Sequence, residues 1–436
     1  MNVALINGPI PYENAITHMP LDLIYIGTML KNKGFKVQGF DLALERNEKQ
    51  QTKEIIEFSP DIIITCFSRV LFDGVRCLKS SLDFFERLKI NLPNTYICAI
   101  GEQATFRPER CLTYKFIDAV IRYTPEIPAV MLCEALQESF SVENIRGVIT
   151  RNNLTTKLKD LQWFYRLKSL DELGVPDRTI FPVEKYLQKD TETVAECSRG
   201  CNHRCLFCQR SRYHRYNVEK SIPYIIEDLK NCAKLGFKSV FFTDLDFVRD
   251  VERAKQICEA LNQEKLSLQW ACNMRADIIQ EKDGGADLLK LMKAAGCYRV
   301  FVGLESASDE ILQDVNKGIS QDYGIKLKHI LDEIGIKLHA SFLIGLPNDT
   351  PQKIMETVNY AKHLNANMTS INALIPMPGT PYGDQPEKYG LLINQNDLLW
   401  FEKDDFMHNQ VCGNKSMSAS ELQELHKKAY KDLLLV

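Results

Sequence analysis

The chain has 436 residues, of which 45% are hydrophobic and 25% are charged, and its formal net charge is −3. This length exceeds one typical domain and allows two or three domains with cores of their own. The weak net charge gives no general attraction to nucleic acid, and no apolar run approaches the ~18 residues of a membrane span. Fourteen cysteines are spread through strand and helix patterns, and no basic leader precedes the first apolar run, so we expect a reduced, cytoplasmic protein.

Residues 1–150 alternate short apolar runs with segments of helix length. The predicted strands are residues 2–7, 35–41, 61–67, 95–100 and 118–122. Apolar strands separated by helices indicate a parallel sheet covered on both faces, and so a doubly wound, Rossmann-like α/β domain that binds ligands beyond the carboxyl ends of its strands. No G-x-G-x-x-G pattern follows the first strand, which argues against a dinucleotide ligand.

Three further regions follow this domain. Residues 151–192 are polar and are predicted to form a linker. Residues 193–385 contain six strand-and-helix units, which indicate a partial (β/α)6 barrel with its chemistry at the carboxyl ends of the strands. Residues 386–436 are predicted to form a small helical cap, and its helix opens on the capping pattern of residues 418–421.

Cys201, Cys205 and Cys208 have C-x-x-x-C-x-x-C spacing and directly follow the first strand of the barrel. Thiolates at this spacing can converge on one soft metal centre, and cysteine is the usual ligand of iron–sulfur clusters. Three ligands leave one iron of a four-iron cluster open. A zinc site is the alternative, because His203 and Cys197 lie nearby in the sequence and zinc favours a fourth ligand.

With Phe207 directly before the third cysteine, the motif resembles the signature of the radical S-adenosylmethionine (SAM) enzymes. The resemblance implies a [4Fe–4S] cluster whose open iron binds the amino and carboxylate groups of SAM. It also implies SAM contacts at the ends of the later strands. The candidate SAM-binding residues are Phe207, Asp244, Arg275, Glu305, Ser306, Gly345 and Pro376. Asp244 is expected at the amino group and Arg275 at the carboxylate, while Glu305 and Ser306 are expected at the ribose.

The first domain resembles the cobalamin-binding domain that precedes the barrel in one large radical SAM subfamily. The resemblance rests on residues 19–27, 34–41, 59–63 and 108–120 and implies bound cobalamin. The candidate cobalamin contacts are Ser68, Arg69, Gly101, Glu102, Gln103 and Glu126. Two family patterns are altered here: residues 101–104 read Gly-Glu-Gln-Ala where Gly-Gly-x-His is common, and Glu126 alone remains of Gly-Glu-x-Glu.

The resemblance implies a cobalamin-dependent radical SAM C-methyltransferase. In such an enzyme SAM is cleaved reductively, the 5′-deoxyadenosyl radical takes a hydrogen atom from an unactivated carbon, and methylcobalamin supplies a methyl group to that carbon. One alternative is a radical SAM enzyme that cyclises, rearranges or oxidises its substrate without methyl transfer. Another is a non-catalytic, metal-bearing binding protein. The expected partners are a small-molecule substrate and an external electron donor such as flavodoxin or ferredoxin.

Overall fold

A computed structural model describes residues 1–10, 18–44, 47–67, 70–71, 74–75, 78–214, 216–280, 285–393 and 412–434 of the chain. These residues form two compact units, which we describe separately. The first contains Met1–Ala195 and Val218–Phe237. The second contains Glu196–Asn217 and the described residues from Lys238 onward. Among the described residues, none of the helices combines the length and hydropathy needed to span a bilayer.

The first unit is built on a six-stranded sheet. Its strands lie in the spatial order Lys36–Asp41, Asn2–Asn7, Ile62–Cys66, Tyr96–Ile100, Ala119–Ile121 and Val148–Thr150. The first five are parallel and the last is antiparallel. All five residues of Ile62–Cys66 are buried, as expected for a strand covered by helices on both faces. The predicted doubly wound fold is confirmed, with one added antiparallel strand.

The helices of the first unit connect and cover these strands. They are Leu21–Asn32, Glu48–Phe58, Leu78–Asn91, Glu102–Phe106, Pro108–Cys111, Glu126–Gln137, Leu154–Lys157, Val183–Lys189 and Ile222–Leu235, with 3-10 turns at Leu170–Leu173 and Arg178–Ile180. The segment after residue 150 is firmly held within this unit. The buried Arg178 pairs with Asp228 and donates to the carbonyl oxygen of Val194 at 2.6 Å. The short strands Val70–Leu71 and Gly74–Val75 pair antiparallel.

The second unit contains five parallel strands in the spatial order Met368–Ala373, Lys337–Ile344, Cys297–Glu305, Gln269–Met274 and Ser239–Phe242. Its helices are Arg210–Tyr213, Val251–Glu264, Gly285–Ala294, Asp309–Asp314, Asp322–Ile334, Pro351–Leu364, Pro381–Asp384 and Ala419–Leu434, with 3-10 turns at Ala276–Gln280 and Pro386–Tyr389. Strand and helix alternate along the chain, as in a βα barrel. The carboxyl ends of these five strands therefore lie along one edge, and in βα barrels the active site lies at that edge.

The helix Ala419–Leu434 shows how local sequence sets an element. The Ser418 hydroxyl accepts a hydrogen bond from the Glu421 amide at 3.2 Å, and the Glu421 carboxylate accepts one from the Ser418 amide at 2.7 Å. This reciprocal capping satisfies amides that a helix start leaves free, as the sequence predicted. Leu422, fully buried, packs against the glycine at the end of a barrel strand. The short strands Leu391–Ile393 and Cys412–Asn414 pair just before this helix.

Candidate functional site

The three motif cysteines lie in one loop that follows the strand Glu192–Ala195. Burial raises the pKa of both Cys201 and Cys205, and the nearby thiol of Cys208 raises each of them further. The Cys208 sulfur therefore lies close enough to each of the other two to act on it electrostatically. Cys197, which the sequence left open as a fourth ligand, is buried on the strand side of the loop, and its amide is bound by a carboxylate.

The loop is tied to the segment that follows the helix Asp309–Asp314. The Leu206 amide donates to the Val315 carbonyl oxygen at 3.0 Å, and the Asn316 side chain donates to the Arg204 carbonyl oxygen at 3.3 Å. These bonds fix the backbone on either side of Cys205. A metal cluster held by this loop would consequently have a rigid support.

Within the described residues, no group of three His, Cys, Asp or Glu side chains surrounds a single point closely enough to hold one metal ion. A four-iron cluster differs from a single ion because it spreads its cysteine ligands around a larger core. Three neighbouring thiols with no fourth ligand match a cluster with an open iron, which is the donor set that the sequence predicted. The zinc alternative gains no support.

Asp244 anchors the start of the cysteine loop. Its carboxylate accepts a hydrogen bond from the Cys197 amide at 2.9 Å and another from the Ser198 hydroxyl at 2.7 Å. Burial raises the pKa of Asp244 to about 6, although both hydrogen bonds lower it. Each carboxylate oxygen is thus already bonded within the protein. The structure gives Asp244 a structural role, and its assignment to the SAM amino group stays a prediction.

Asp246, two residues further on, belongs to the same acidic strand end, but from the sequence we assigned only Asp244 to SAM. It is 5% exposed, and its Oδ1 atom has no hydrogen-bond partner in the part of the chain that the structure describes. Its charge raises the pKa of Cys201, so it lies beside the cysteine loop, and the Arg275 cation lowers its own pKa. Burial is nevertheless the larger effect and raises the pKa of Asp246 to about 6. A buried carboxylate with a free oxygen here could accept a hydrogen bond from an ammonium group.

Arg275 follows the strand Gln269–Met274 and is 8% exposed. Its guanidinium donates to both oxygens of Asp277, at 2.9 to 3.1 Å, and to the Lys317 carbonyl oxygen at 2.5 Å. Burial alone would lower the pKa of Arg275, but the hydrogen bonds and charge of Asp277 raise it overall. The guanidinium therefore stays cationic and is held in a fixed orientation.

Glu305 is the last residue of the strand Cys297–Glu305, and Ser306 directly follows it. Glu305 has a left-handed backbone angle, φ of 63°, and its side chain pairs with Lys317 at 2.6 Å. Ser306 is 1% exposed, and its hydroxyl accepts a hydrogen bond from the Ser308 amide at 3.1 Å. The Ser306 hydroxyl thus stabilises the turn that follows the strand. The ribose assignment of both residues remains a prediction.

Gly345 directly follows the strand Lys337–Ile344. Its φ is 79°, and a Cβ atom added there would lie 2.2 Å from Leu422 Cδ2. The Gly345 and Leu346 amides both donate to Asp349 Oδ2, at 2.8 and 3.2 Å. Burial raises the pKa of Asp349 to about 7. A glycine is required both by the backbone angle and by the packing of the C-terminal helix.

Two more of the predicted SAM-binding residues are Phe207, which lies within the cysteine loop, and Pro376. Phe207 is half-buried, and Pro376 is buried just beyond the strand Met368–Ala373. The Gln209 side chain donates to the Pro378 carbonyl oxygen at 2.7 Å. This hydrogen bond brings the loop after the last strand next to the cysteine loop. The predicted SAM residues thus share the carboxyl edge of the second unit.

The predicted cobalamin residues that the structure describes lie in the first unit. Gly101 has φ of 96° and begins the short helix Glu102–Phe106, in which Glu102 and Gln103 are 3% and 2% exposed. Neither the oxygen nor the nitrogen of the Gln103 amide has a hydrogen-bond partner among the described residues. Glu126, fully buried, begins the helix after the next strand. Ser68 and Arg69 lie outside the described residues.

Arg122 is a buried cation in the same region of the first unit, and we did not predict a role for it from the sequence. The Arg122 guanidinium donates to the Thr105 carbonyl oxygen at 3.1 Å and to the Tyr123 hydroxyl at 3.3 Å. Its Nη1 atom has no partner among the described residues. Because buried polar atoms are rarely left without partners, Arg122 and Gln103 together are consistent with a polar ligand at the carboxyl edge of this sheet.

Comparison with known proteins identifies one domain of the chain. Residues 196–361 match the Radical SAM superfamily. This segment contains the three cysteines, Asp246, Arg275 and the Glu305–Lys317 pair. The chain therefore contains a radical SAM domain, and such a domain uses a [4Fe–4S] cluster and SAM.

The similarity extends beyond that domain. An uncharacterised methyltransferase of Pyrococcus horikoshii is 28% identical over 96% of this chain and 90% of its own length. An anaerobic magnesium-protoporphyrin IX monomethyl ester cyclase of Rubrivivax gelatinosus is 26% identical over 89% of this chain and 69% of its own. The radical SAM methyltransferase TsrM from Kitasatospora setae, solved with cobalamin and a [4Fe–4S] cluster, matches with a TM-score of 0.72 and 19% identity, over 90% of this chain and 80% of TsrM. The chain thus resembles that structure in fold over most of its length.

Proposed function

We propose that this protein is a cobalamin-dependent radical SAM enzyme that transfers a methyl group to an unactivated carbon of a small molecule. The observation that carries the proposal is the gathering of three thiols, a free buried carboxylate oxygen and a fixed guanidinium at one edge of the second unit. The fold likeness to TsrM, a methyltransferase solved with cobalamin, supports the methyl-transfer part. When bound, the cluster and cobalamin would supply electron transfer and the methyl group, respectively.

The residues of the second unit have distinct roles in this proposal. Cys201, Cys205 and Cys208 hold the cluster. Asp246 accepts the SAM ammonium group, since its Oδ1 atom is free, while Asp244 holds the start of the loop. Arg275 binds the methionine carboxylate through Nη1, because its Nε and Nη2 atoms already donate to Asp277 and to the Lys317 carbonyl oxygen.

The remaining predicted contacts surround the nucleoside. Glu305 and Ser306 are assigned to the ribose. Phe207, Gly345 and Pro376 are assigned to the adenine, where the backbone of Gly345 allows close approach. Burial of these groups excludes water from the site, which protects a radical intermediate from side reactions.

The cobalamin part of the proposal rests on the first unit. Gln103 offers an amide with both polar atoms free, and Arg122 offers one free guanidinium nitrogen. Corrins carry amide side chains, which both donate and accept hydrogen bonds, so such partners suit them. The altered residues 101–104 remove the common family histidine, and Gln103 takes its place in binding.

An external electron donor, such as flavodoxin or ferredoxin, would reduce the cluster. The small-molecule substrate and the cytoplasmic location are also part of this proposal. Product analysis tests it: anaerobically reconstituted enzyme should form S-adenosylhomocysteine together with 5′-deoxyadenosine, and the purified protein should show a corrin absorption band. If S-adenosylhomocysteine is absent while 5′-deoxyadenosine forms with substrate turnover, methyl transfer is overturned.

That outcome would favour the second candidate, a radical SAM enzyme that cyclises, rearranges or oxidises its substrate. The likeness to the Rubrivivax cyclase is the observation in its favour. The radical SAM domain itself favours an enzyme over a non-catalytic, metal-bearing binding protein.

A further inference from the structure

A buried ion pair lies beside the cysteine loop. Lys317 Nζ is 2.6 Å from Glu305 Oε1, and each side chain is 10% exposed. A Cβ atom added at Gly303 would lie 2.4 Å from Glu305 Oε1 and 2.9 Å from Lys317 Nζ. The pair therefore rests on the bare backbone of Gly303, in a space that any other residue would fill. This fixes the positions of both charges.

The backbone that carries Lys317 is bonded directly to the cysteine loop. The carbonyl oxygen of Val315 accepts the Leu206 amide, and the side chain of Asn316 donates to Arg204. On the other side, the Lys317 carbonyl oxygen accepts a hydrogen bond from Arg275 at 2.5 Å. Val315 and Asn316, the two residues before Lys317, thus hold the Lys317 backbone against the loop around Cys205.

Lys317 and Glu305 are both buried close to the loop around Cys205. Hydrogen bonds join the two residues before Lys317 to Leu206 and Arg204, the chain neighbours of Cys205. The other buried cation here, Arg275, is paired with Asp277. The Lys317–Glu305 pair therefore places one buried cation and one buried anion beside the cysteine loop.

A cluster becomes more negative when it accepts an electron. A fixed cation nearby stabilises the reduced form and a fixed anion destabilises it, and hydrogen bonds, charge and exposure are known to set cluster potentials. A unit charge roughly 10 Å away, at an effective dielectric constant of about 20, is worth on the order of a tenfold change in an equilibrium.

We propose that Lys317 and Glu305 are positioning residues that set the reduction potential of the cluster, Lys317 by favouring the reduced form and Glu305 by limiting that effect. This inference rests on the proposed cluster at the three cysteines. It does not depend on cobalamin, on the substrate or on methyl transfer.

The test is a redox titration of the reconstituted cluster in the absence of SAM. The electron paramagnetic resonance signal of the reduced cluster measures how much of it is reduced at each potential. Glu305→Gln keeps the side-chain shape and leaves the Lys317 charge unopposed, so at a fixed solution potential its reduced-to-oxidised ratio should rise about tenfold. Lys317→Met should lower that ratio about tenfold, and Lys317→Arg should restore it. The matched control is Lys326→Met, which removes a lysine from an ion pair that is mostly exposed.

Equal ratios in wild type, Glu305→Gln, Lys317→Met and the control Lys326→Met would overturn the inference and leave the proposed function intact. A shift of the same sign in Glu305→Gln and Lys317→Met would also overturn it, because opposite charges must act oppositely. A wild-type protein that assembles no cluster would overturn the proposed function and this inference together.

Discussion

Asp244 accepts the backbone amide of Cys197 at 2.9 Å, and this bond, with a second from Ser198, holds the polypeptide where it enters the cysteine loop. Both donors are buried, so removing their acceptor leaves them without partners. We expect Asp244→Ala to destabilise the protein by about 2–4 kcal/mol. Chemical denaturation of the whole protein would measure this loss. Asp322→Ala, at an exposed pair, is the control and should leave stability nearly unchanged.

Asp246, not Asp244, is expected to be the acidic partner of SAM. Asp246→Asn keeps the size of the side chain and removes its charge, so SAM should bind about tenfold more weakly. Equilibrium binding of SAM to the reconstituted protein measures the change, and Asp287→Asn, at an exposed site, is the control. Unchanged SAM affinity in Asp246→Asn would contradict this assignment.

Asp349 should make stability depend on pH. Its pKa is raised from 3.8 to about 7, so the folded state holds the proton more tightly than the unfolded state. The stability that this proton contributes is fully present below about pH 4 and is lost as pH rises to about 7. Asn can still accept the Gly345 and Leu346 amides, so Asp349→Asn should remove this contribution. Comparing the pH dependence of unfolding between wild type and variant from pH 5 to 8 tests the sign: an unchanged slope would count against it.

Two glycines with similar backbone angles separate strain from packing. Gly34 has φ of 85° and nothing within 4 Å of an added Cβ, whereas an added Cβ at Gly345 would meet Leu422 at 2.2 Å. Gly34→Ala should cost about 1 kcal/mol of stability, from the backbone alone. Gly345→Ala should cost about 1–3 kcal/mol more, from overpacking against the C-terminal helix. If Gly34→Ala and Gly345→Ala lose equal free energies of unfolding, the Leu422 side chain moves aside without an energetic penalty and the prediction is wrong.

Much of this architecture could be predicted from the sequence because its signals are local. The cysteine spacing, the apolar strands and the Ser418 cap each need only a few neighbouring residues. The strand Val148–Thr150 was not predicted, since three residues are too short for a periodic pattern. The choice between Asp244 and Asp246 also could not be made, because it depends on how the chain turns after the strand ends.

The Glu305–Lys317 pair shows a second limit. Its members are 12 residues apart and meet only because a helix returns the chain to the end of the strand. The free amide of Gln103 is a similar case: nothing in its local sequence shows that the structure leaves it without a partner. Local sequence patterns thus do not predict side-chain pairs that depend on tertiary packing. Once the fold is known, the chemical role of such a pair can be inferred.

The central claim is that Cys201, Cys205 and Cys208 hold a cluster that reductively cleaves SAM. The most direct measurement is 5′-deoxyadenosine formed from SAM by the anaerobically reconstituted protein under a strong reductant, beside the single Cys-to-Ala variants. Wild type and Cys197→Ala should form it, and each variant of the three motif cysteines should lose at least 100-fold of that activity, about 2.7 kcal/mol in activation free energy. If wild type fails to cleave SAM, or if Cys205→Ala cleaves it as well as Cys197→Ala does, the account is contradicted.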